Sequence, residues 1–220
     1  MNTKRSKNII VCGTGTDVGK TVVSALLVQG LNATYWKPIQ SGLDGGGDRG
    51  RVCELLKLPE GRWLPETFNL KAPVSPHWAA EMEDSLIKPE LIVLPNNTQT
   101  IVVETAGGLM VPLTYDFLQI KLIEQWKSPV ILVARSGLGT LNHTLLSLEA
   151  LHLRKIPVLG IILNGPHHPN NPKTLEKIGK IPVIAELPQL KPLNAENLSK
   201  QWHKQNLRSK FNELLKGEYE

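Results

Sequence analysis

The stretch that decides the fold is Asn8-Ile-Ile-Val-Cys12, followed at once by Gly13-Thr-Gly-Thr-Asp-Val-Gly-Lys-Thr21. The apolar run predicts a buried strand, and the helical pattern over Gly19–Gln29 follows the glycine-rich segment. Backbone N–H groups of such a turn and of the helix N-terminus form a nest for phosphate. Lys20 can then reach the terminal phosphates, while the Thr21 hydroxyl can bind Mg²⁺. Because five residues rather than four follow Gly13 before the Gly-Lys-Thr, the segment predicts a variant phosphate loop.

Short Val- and Ile-rich runs alternate with longer helical patterns along the rest of the chain. The strand candidates, most without polar alternation, are Asn8–Cys12, Thr34–Pro38, Thr100–Glu104, Val130–Ala134, Val158–Leu163 and Val183–Glu186. The helix candidates are Gly19–Gln29, Asp48–Lys57, Phe117–Trp126, Leu141–Leu153, Pro172–Gly179 and Ala195–Leu215. This alternation predicts a P-loop NTPase-like, doubly wound and mainly parallel α/β sheet with helices on both faces, formed by residues 1–220 as one domain. The glycine- and proline-rich region Gln40–Pro76 is interpreted as loops over one sheet end.

The composition excludes several classes of protein. The 220 residues are 41% hydrophobic, which is enough for a core, and two cysteines are too few for a disulfide scaffold. No apolar run approaches the roughly 18 residues of a membrane span, and Ile9–Cys12 after the basic segment Met1–Lys7 is too short for a signal peptide. A cytoplasmic protein without a membrane partner is therefore expected.

The net charge of +5 leaves nucleic acid to be considered as a partner. Many of the lysines lie in Gln189–Glu220, which we interpret as a solvated surface helix rather than a polyanion-binding arm. The sequence has no aromatic interleaving and no recognisable reader motif, so no nucleic-acid partner is expected.

Two strand ends carry residues suited to phosphoryl chemistry, because ligands of such sheets bind beyond the carboxyl ends of the strands. Lys37 follows the second strand and could neutralise charge on a transferring phosphoryl group, although a strand-end lysine that snorkels to solvent fits the spacing equally. Glu104 closes an apolar strand and suits a Mg²⁺ ligand in the manner of a Walker-B acid. The Gly107–Gly108 pair after it indicates close backbone approach to a ligand.

Three other polar positions have two interpretations each. Asp17 could bind Mg²⁺ or cap the helix that follows it. Asp48 could be an N-cap or a further acidic ligand, with Asp44 as a competitor for the second role. Asn164 could read an adenine edge, but Asn164-Gly165 is also a typical turn, which is the better interpretation from the sequence alone.

Seven segments occur in a fixed order over about residues 8–196: GTGTDVGKT (13–21), YWKPIQSG (35–42), SPH (75–77), VETAGGLMVPL (103–113), LGTLNH (138–143), ILN (162–164) and ELPQL (186–190). In sequence and order they resemble the dethiobiotin synthetases. The resemblance implies a homodimeric, ATP-dependent ligase that joins CO₂ to 7,8-diaminononanoate. One amine would form a carbamate, ATP would phosphorylate it, and the second amine would close the cyclic urea.

The resemblance also implies roles for individual residues. Lys20 and Lys37 correspond to the electrostatic catalysts, and Thr21, Asp48 and Glu104 to the Mg²⁺ ligands, with Asp17 as a further candidate. Thr16 and Ser41 would hold the carbamate, and Asn142 would hold the substrate carboxylate across the dimer interface. The expected nucleotide contacts are Asp17, Val18, Gly19, Lys20, Thr21, Val22, Asp48, Glu104, Thr105, Ala106, Gly107, Asn164, Gly165, Pro188, Gln189, Leu190 and Glu196.

Two positions depart from the family pattern. Gly15 replaces an Asp, and Thr105 replaces a Gly, where its side chain is predicted to crowd the backbone near the phosphates. The alternative function is a partition or positioning ATPase, but such proteins carry a lysine at the position of Gly15. A glutamine-dependent amide synthase would need a further glutaminase domain, for which no room is expected after residue 196.

Overall fold

The computed structural model describes residues 8–96 and 99–217, so the prediction for Met1–Lys7 lies outside the described residues. The strands are β1 Ile9–Gly13, β2 Thr34–Trp36, β3 Ile39–Ser41, β4 Trp63–Leu64, β5 Phe68–Leu70, β6 Ile101–Gly108, β7 Val130–Arg135, β8 Val158–Asn164 and β9 Val183–Leu187. The α-helices are α1 Lys20–Gly30, α2 Gly47–Leu56, α3 Pro76–Met82, α4 Gln119–Trp126, α5 Thr140–Leu153, α6 Asn171–Gly179, α7 Ala195–Lys204 and α8 Leu207–Gly217.

Seven strands form one parallel sheet in the order β4-β2-β6-β1-β7-β8-β9. Strands β2, β6 and β1 are neighbours although they are far apart in the chain, which brings their carboxyl ends to one edge. The prediction of a doubly wound, mainly parallel sheet is therefore confirmed, and each of the six predicted strands is present.

Two apolar layers cover the sheet, because successive strand residues point to opposite faces. On one face, Ile9 and Val11 of β1 belong to a cluster with residues of α1, α2, α7 and α8. On the other face, Ile10 and Cys12 belong to a cluster with residues of α3, α4, α5 and α6. The helices thus cover both faces, as the alternating pattern predicted.

The interpretation of Gln40–Pro76 as loops is wrong. Besides α2, this region contains β3 and β5, which pair as a small parallel sheet, and β4, which adds an edge to the main sheet. Arg49 fastens the region by an ion pair with Glu66 (2.8 Å) and by lying over the Trp63 ring. Strands of two or three residues are too short to show a hydrophobic period, which is why the pattern missed them.

The prediction of one continuous helix over Ala195–Leu215 is also wrong, because α7 and α8 are separate helices. The chain turns at Asn206, whose φ is 51°. The Gln205 side chain anchors the turn to β9: its Oε1 accepts from the Glu186 N–H (3.0 Å) and its Nε2 donates to the Glu186 carbonyl (2.9 Å).

The second of these helices is part of the core rather than a solvated surface element. Leu207, Phe211 and Leu215 are buried at intervals of four residues, and Phe211 stacks on Trp202 of α7 at 5.7 Å between ring centroids. Within residues 8–96 and 99–217, none of the helices is long and apolar enough to cross a bilayer.

We expect Phe211→Ala to lower the free energy of unfolding by about 3–5 kcal/mol, since it removes a fully buried ring and leaves a cavity. Urea denaturation followed by circular dichroism measures the change. Leu153→Ala, at an exposed position of α5, is the matched control. A loss of less than about 1 kcal/mol for the Phe211 variant would show that the C-terminal helix is peripheral.

Candidate active site

A cavity of about 710 Å³ opens at the carboxyl ends of β1, β2 and β6. Its wall is formed by the phosphate loop and the start of α1, by the segment from β3 into α2, and by the end of β6. Residues predicted to act together from distant parts of the sequence therefore line one space, including Lys20, Lys37, Asp48 and Glu104.

The phosphate loop has the predicted arrangement of strand, turn and helix. Gly19 occupies the cap position of α1 with φ 97°, which an L side chain rarely adopts. A Cβ atom at Gly19 would also lie 1.9 Å from Nδ2 of Asn164. Two hydrogen bonds hold the loop, from Lys20 Nζ to the Gly15 carbonyl (2.9 Å) and from Asn164 Nδ2 to the Val18 carbonyl (3.1 Å).

Lys20 is buried, with 7% of the residue exposed to solvent. Burial lowers the pKa of Lys20, and the attraction of Glu104 only partly offsets that effect. An anion such as phosphate in the cavity would stabilise the charged ammonium of Lys20 and so raise its pKa.

Glu104 is the most deeply buried carboxylate at the site, with 1% of the residue exposed. Its Oε1 accepts hydrogen bonds from the Thr21 hydroxyl (2.8 Å) and from Lys37 Nζ (3.3 Å). Its Oε2 accepts from the Tyr35 hydroxyl (3.0 Å). Burial and the neighbouring Glu104 charge raise the pKa of Tyr35 well above its usual range, so the phenol remains a proton donor.

Lys37 lies between two carboxylates, since it also forms an ion pair with Asp48. Burial acts to lower the pKa of Lys37, but Glu104 and Asp48 outweigh it and hold the pKa above its ordinary value. Burial acts to raise the pKa of Asp48, but the neighbouring Lys37 ammonium outweighs that effect and lowers this pKa. Lys37 is thus a charged group facing the cavity, and the snorkelling interpretation does not describe it.

The structure separates the two interpretations of Asp48. Helix α2 begins at Gly47 with Gly46 as its cap, so Asp48 is not an N-cap, and its carboxylate joins Lys37 beside Glu104. Asp44 lines the same cavity. Asp17 also lines it with an exposed side chain, and Gly19 rather than Asp17 caps α1.

Two hydroxyl-bearing residues are part of the cavity wall. Thr16 and Ser41 both line it. The Ser41 Oγ atom is buried and has no hydrogen-bond partner within residues 8–96 and 99–217. A buried hydroxyl in this state has an unused donor, which an anionic ligand in the cavity could accept.

The expected contact at Thr105 is not supported by its position. The Thr105 hydroxyl donates to the Val11 carbonyl (3.3 Å) inside the sheet, and the residue is 2% exposed. It therefore does not crowd the backbone near the loop as predicted. Ala106 and Gly107, which follow it, do line the cavity.

The remaining expected contacts lie outside the lining of this cavity. Asn164, Gly165 and Pro188–Leu190 sit at the carboxyl ends of β8 and β9, where the Gly165 N–H donates to the Leu187 carbonyl (2.8 Å). Glu196 is exposed on α7 and pairs with Lys200 (2.6 Å). Asn142 is exposed in the first turn of α5.

Sequence reasoning missed several polar residues that shape the site. The Gln119 amide binds the Ala106 N–H and the carbonyls of Ala106 and Gly108, at 2.7–2.9 Å, and so fixes the chain after Glu104. Gln40 Oε1 accepts from the Asp48 N–H (3.0 Å). Tyr35 is the third residue that was missed. A tyrosine in an otherwise apolar, buried strand could have indicated it, because a buried hydroxyl needs a hydrogen-bond partner.

Two arginines at the site were also missed. Arg51 lines the cavity and approaches Asp48 at 3.5 Å. Arg135 Nε donates to the Asp17 carbonyl (3.1 Å) from the end of β7. Arg51 belongs to α2 and Arg135 ends β7, and neither position matches a phosphate-binding pattern in the sequence.

The donor set near Lys37 suits a hard divalent cation. The described residues hold no group of three or more His, Cys, Asp or Glu side chains that could bind a metal. Thr21, Asp48 and Glu104 nevertheless place one hydroxyl and two carboxylates around the Lys37 ammonium, which already occupies a cation position between the carboxylates. Mg²⁺ typically takes one or two carboxylates and completes its shell with phosphate oxygens and water.

A family model described as an AAA domain matches residues 7–197. The chain is 48% identical over 190 residues to the ATP-dependent dethiobiotin synthetase BioD of Rhodopseudomonas palustris (strain BisB5), covering 86% of this chain and 90% of that protein. It is 46% identical over 203 residues to the biotin biosynthesis bifunctional protein BioCD of Bordetella avium, covering 92% of this chain but 43% of that longer protein.

Among solved structures, a ParA family ATPase from Chlorobium tepidum superposes with a TM-score of 0.55 over 97% of this chain and 99% of that one, at 13% identity. This likeness shows a common P-loop fold and nothing about activity. The alternative of a partition-type ATPase therefore gains no support from this likeness, and the sequence relatives have other names.

We expect Gly19→Ala to weaken ADP binding at least ten-fold. The added methyl would strain the backbone by about 1–3 kcal/mol and would collide with Asn164. Isothermal titration calorimetry measures the affinity. Gly15→Ala is the control in the same loop, because a Cβ there meets no atom within 4 Å. Equal losses in the two variants would contradict the assignment of Gly19 to a strained position.

Proposed function

The chain belongs to the ATP-dependent dethiobiotin synthetase family, and we propose that it closes the urea ring of dethiobiotin from 7,8-diaminononanoate, CO₂ and ATP in biotin biosynthesis. The observation that carries this proposal is the position of Lys37. Its ammonium faces a phosphate loop across one cavity and is held there by two carboxylates from separate elements.

The reaction proceeds in three steps. An amine of the substrate adds to CO₂ and loses a proton, which gives a carbamate. A carbamate oxygen then attacks the γ-phosphorus of ATP, and ADP leaves, which gives a carbamic–phosphoric anhydride. The second amine attacks the carbamoyl carbon, phosphate leaves with the C–O bond electrons, and the amine proton is released as the ring closes.

The protein's task in these steps is mainly to bring anions together, since both the carbamate and the triphosphate are negatively charged. Lys20 stabilises the phosphates from the start of α1, and Lys37 stabilises charge on the transferring phosphoryl group from the end of β2. Thr16 and the buried Ser41 hydroxyl, which both line the cavity, hold the carbamate.

Thr21, Asp48 and Glu104 would hold Mg²⁺, with Asp17 as the further acidic group on the cavity wall. The ion would supply positive charge that stabilises the phosphate groups. The protein positions the oxygen atoms of Thr21, Asp48 and Glu104 before a ligand binds. The Thr21 hydroxyl donates to Glu104, and Lys37 holds the two carboxylates near each other.

The nucleotide extends from the loop residues 17–22 toward the ends of β8 and β9. Asn164, Gly165 and Pro188–Leu190 form the base-binding side, and Glu196 is a further contact there. Asn164 has one role within the protein already, because its Nδ2 supports the phosphate loop at Val18. Its Oδ1 acceptor and the second N–H of Nδ2 are therefore the groups that can meet the base.

The enzyme acts as a homodimer in the cytoplasm. Asn142 supports this proposal, because it is exposed and outside the cavity lining of its own chain, while the family role for this position is substrate binding across the interface. An exposed leucine at the same end of α5, Leu138, provides apolar surface for a second copy.

We expect ATP hydrolysis to require both 7,8-diaminononanoate and bicarbonate, and Lys37→Ala to lower the rate of dethiobiotin formation by about 10²–10³-fold, as for loss of one transition-state donor. Chromatographic assay of dethiobiotin and phosphate release measure the two rates. Lys177→Ala, an exposed lysine on α6, is the control. ATP turnover that ignores the diamine and responds to DNA would contradict the proposal.

We expect Lys20→Ala and Asn142→Ala to be inactive separately but to recover about a quarter of wild-type activity after mixing and refolding, because half of the dimers are then mixed and each has one intact site. Sedimentation velocity verifies the dimer. No recovery from a verified mixture would show that Asn142 serves the site of its own chain.

A further inference from the structure

Tyr35 is a fully buried residue whose only polar side-chain atom is directed at the proposed metal site. It is 0% exposed, and its hydroxyl donates to Glu104 Oε2 at 3.0 Å. Tyr35 is the first residue of the YWKPIQSG segment, but the resemblance assigns it no role, and it is a core residue of β2 that does not line the cavity.

The contact follows from the register of the sheet. Tyr35 of β2 pairs with Val102 of β6, and Glu104 lies two residues further along β6. Since side chains repeat every two residues along a strand, Val102 and Glu104 share a face with Tyr35. The tyrosine ring therefore spans the sheet face diagonally and reaches the carboxylate from the protein side.

The two oxygens of Glu104 have different surroundings as a result. Oε2 is held by Tyr35 within the core, whereas Oε1 accepts from Thr21 (2.8 Å) and Lys37 (3.3 Å), which both line the cavity. Among the contacts of the described residues, the Tyr35 hydroxyl is the one that holds Oε2 and so fixes the torsion that decides which oxygen faces Thr21.

We propose that Tyr35 is a positioning residue that restricts Glu104 to binding the divalent cation through one oxygen, Oε1. The inference rests on the proposed function, since it assumes that Glu104 is a metal ligand. Partners that orient a ligating carboxylate commonly change metal affinity by 10–100-fold when they are removed.

The test is Tyr35→Phe, which removes the hydroxyl and keeps the ring. Electron paramagnetic resonance of Mn²⁺ measures metal binding to the protein in the presence of saturating ADP, without turnover. We expect the dissociation constant for Mn²⁺ to rise about ten-fold or more, while ADP affinity measured in EDTA stays within two-fold of the wild type. Glu104→Gln is the positive control for loss of the ligand.

Tyr115→Phe is the matched negative control. Its hydroxyl also donates to a glutamate, Glu81, at 3.0 Å, but the pair is exposed and does not line the cavity. The Mn²⁺ affinity of this variant should equal that of the wild type. A purely structural role of Tyr35 would lower the melting temperature of Tyr35→Phe while leaving its Mn²⁺ affinity unchanged, and that result would overturn the inference.

A second measurement needs no loss of the hydroxyl, in case the Tyr35 variant does not fold. The chain has three tyrosines, so protein labelled with 3-fluorotyrosine gives few ¹⁹F resonances, and Tyr115→Phe helps to assign them. The Tyr35 resonance should shift when Mg²⁺ is added to the ADP complex. No shift, with Mg²⁺ binding verified by calorimetry, would also overturn the inference.

The outcomes separate this inference from the proposed function. If the wild-type protein with ADP binds no Mn²⁺, the metal site of the proposed function fails. If the wild type binds Mn²⁺ and Tyr35→Phe binds it equally well, the metal site stands and the role of Tyr35 fails.

Discussion

An isolated carboxylate removed from water as completely as Glu104 would be costly by several kcal/mol, and its partners offset that cost. Thr21 donates from the helix after the phosphate loop, and Lys37 and Tyr35 donate from the neighbouring strand. The buried charge therefore requires β1–α1, β2 and β6 to meet at one place. Because Thr21 and Lys37 both donate to Glu104, this carboxylate holds the phosphate loop and the end of β2 next to each other.

Strand order makes that meeting possible. Because β6 lies between β2 and β1 in a parallel sheet, residues near positions 20, 37 and 104 emerge at the same edge although many residues separate them in the chain. The segment between β2 and β6 then returns over this edge and delivers Asp48 from α2 to Lys37. Gln40 fixes the start of α2 through the Asp48 N–H, so the position of the second carboxylate is also set by the fold.

The sequence allowed the main sheet and most of the cavity wall to be predicted, because long apolar strands and a glycine-rich loop leave clear patterns. Lys37 could be identified because it follows such a strand, and Glu104 because it ends the apolar run of another, although β6 itself continues to Gly108. The partners that orient them could not, because Tyr35 looks like an ordinary core residue and Gln119 like an ordinary helix residue. Their roles depend on sheet register and on how the chain after β6 brings Gln119 back against the end of that strand. The turn at Asn206 escaped detection for a similar reason: Gln205 is fixed by the backbone of β9, a distant strand.

The charge balance inside the cavity explains why a divalent cation is to be expected. Three cationic and four acidic side chains line the cavity, so its formal charge is −1 although the whole chain carries +5: Lys20, Lys37, Arg51, Asp17, Asp44, Asp48 and Glu104. The two buried lysines offset the carboxylates of Asp48 and Glu104, which lets these groups coexist without ligands. The lining has no surplus positive charge to hold a triphosphate and a carbamate side by side, as the proposed function requires. In the proposed function, the anionic substrates therefore need a countercharge of their own, and a divalent cation bound by the oxygen donors of Thr21, Asp48 and Glu104 would supply it.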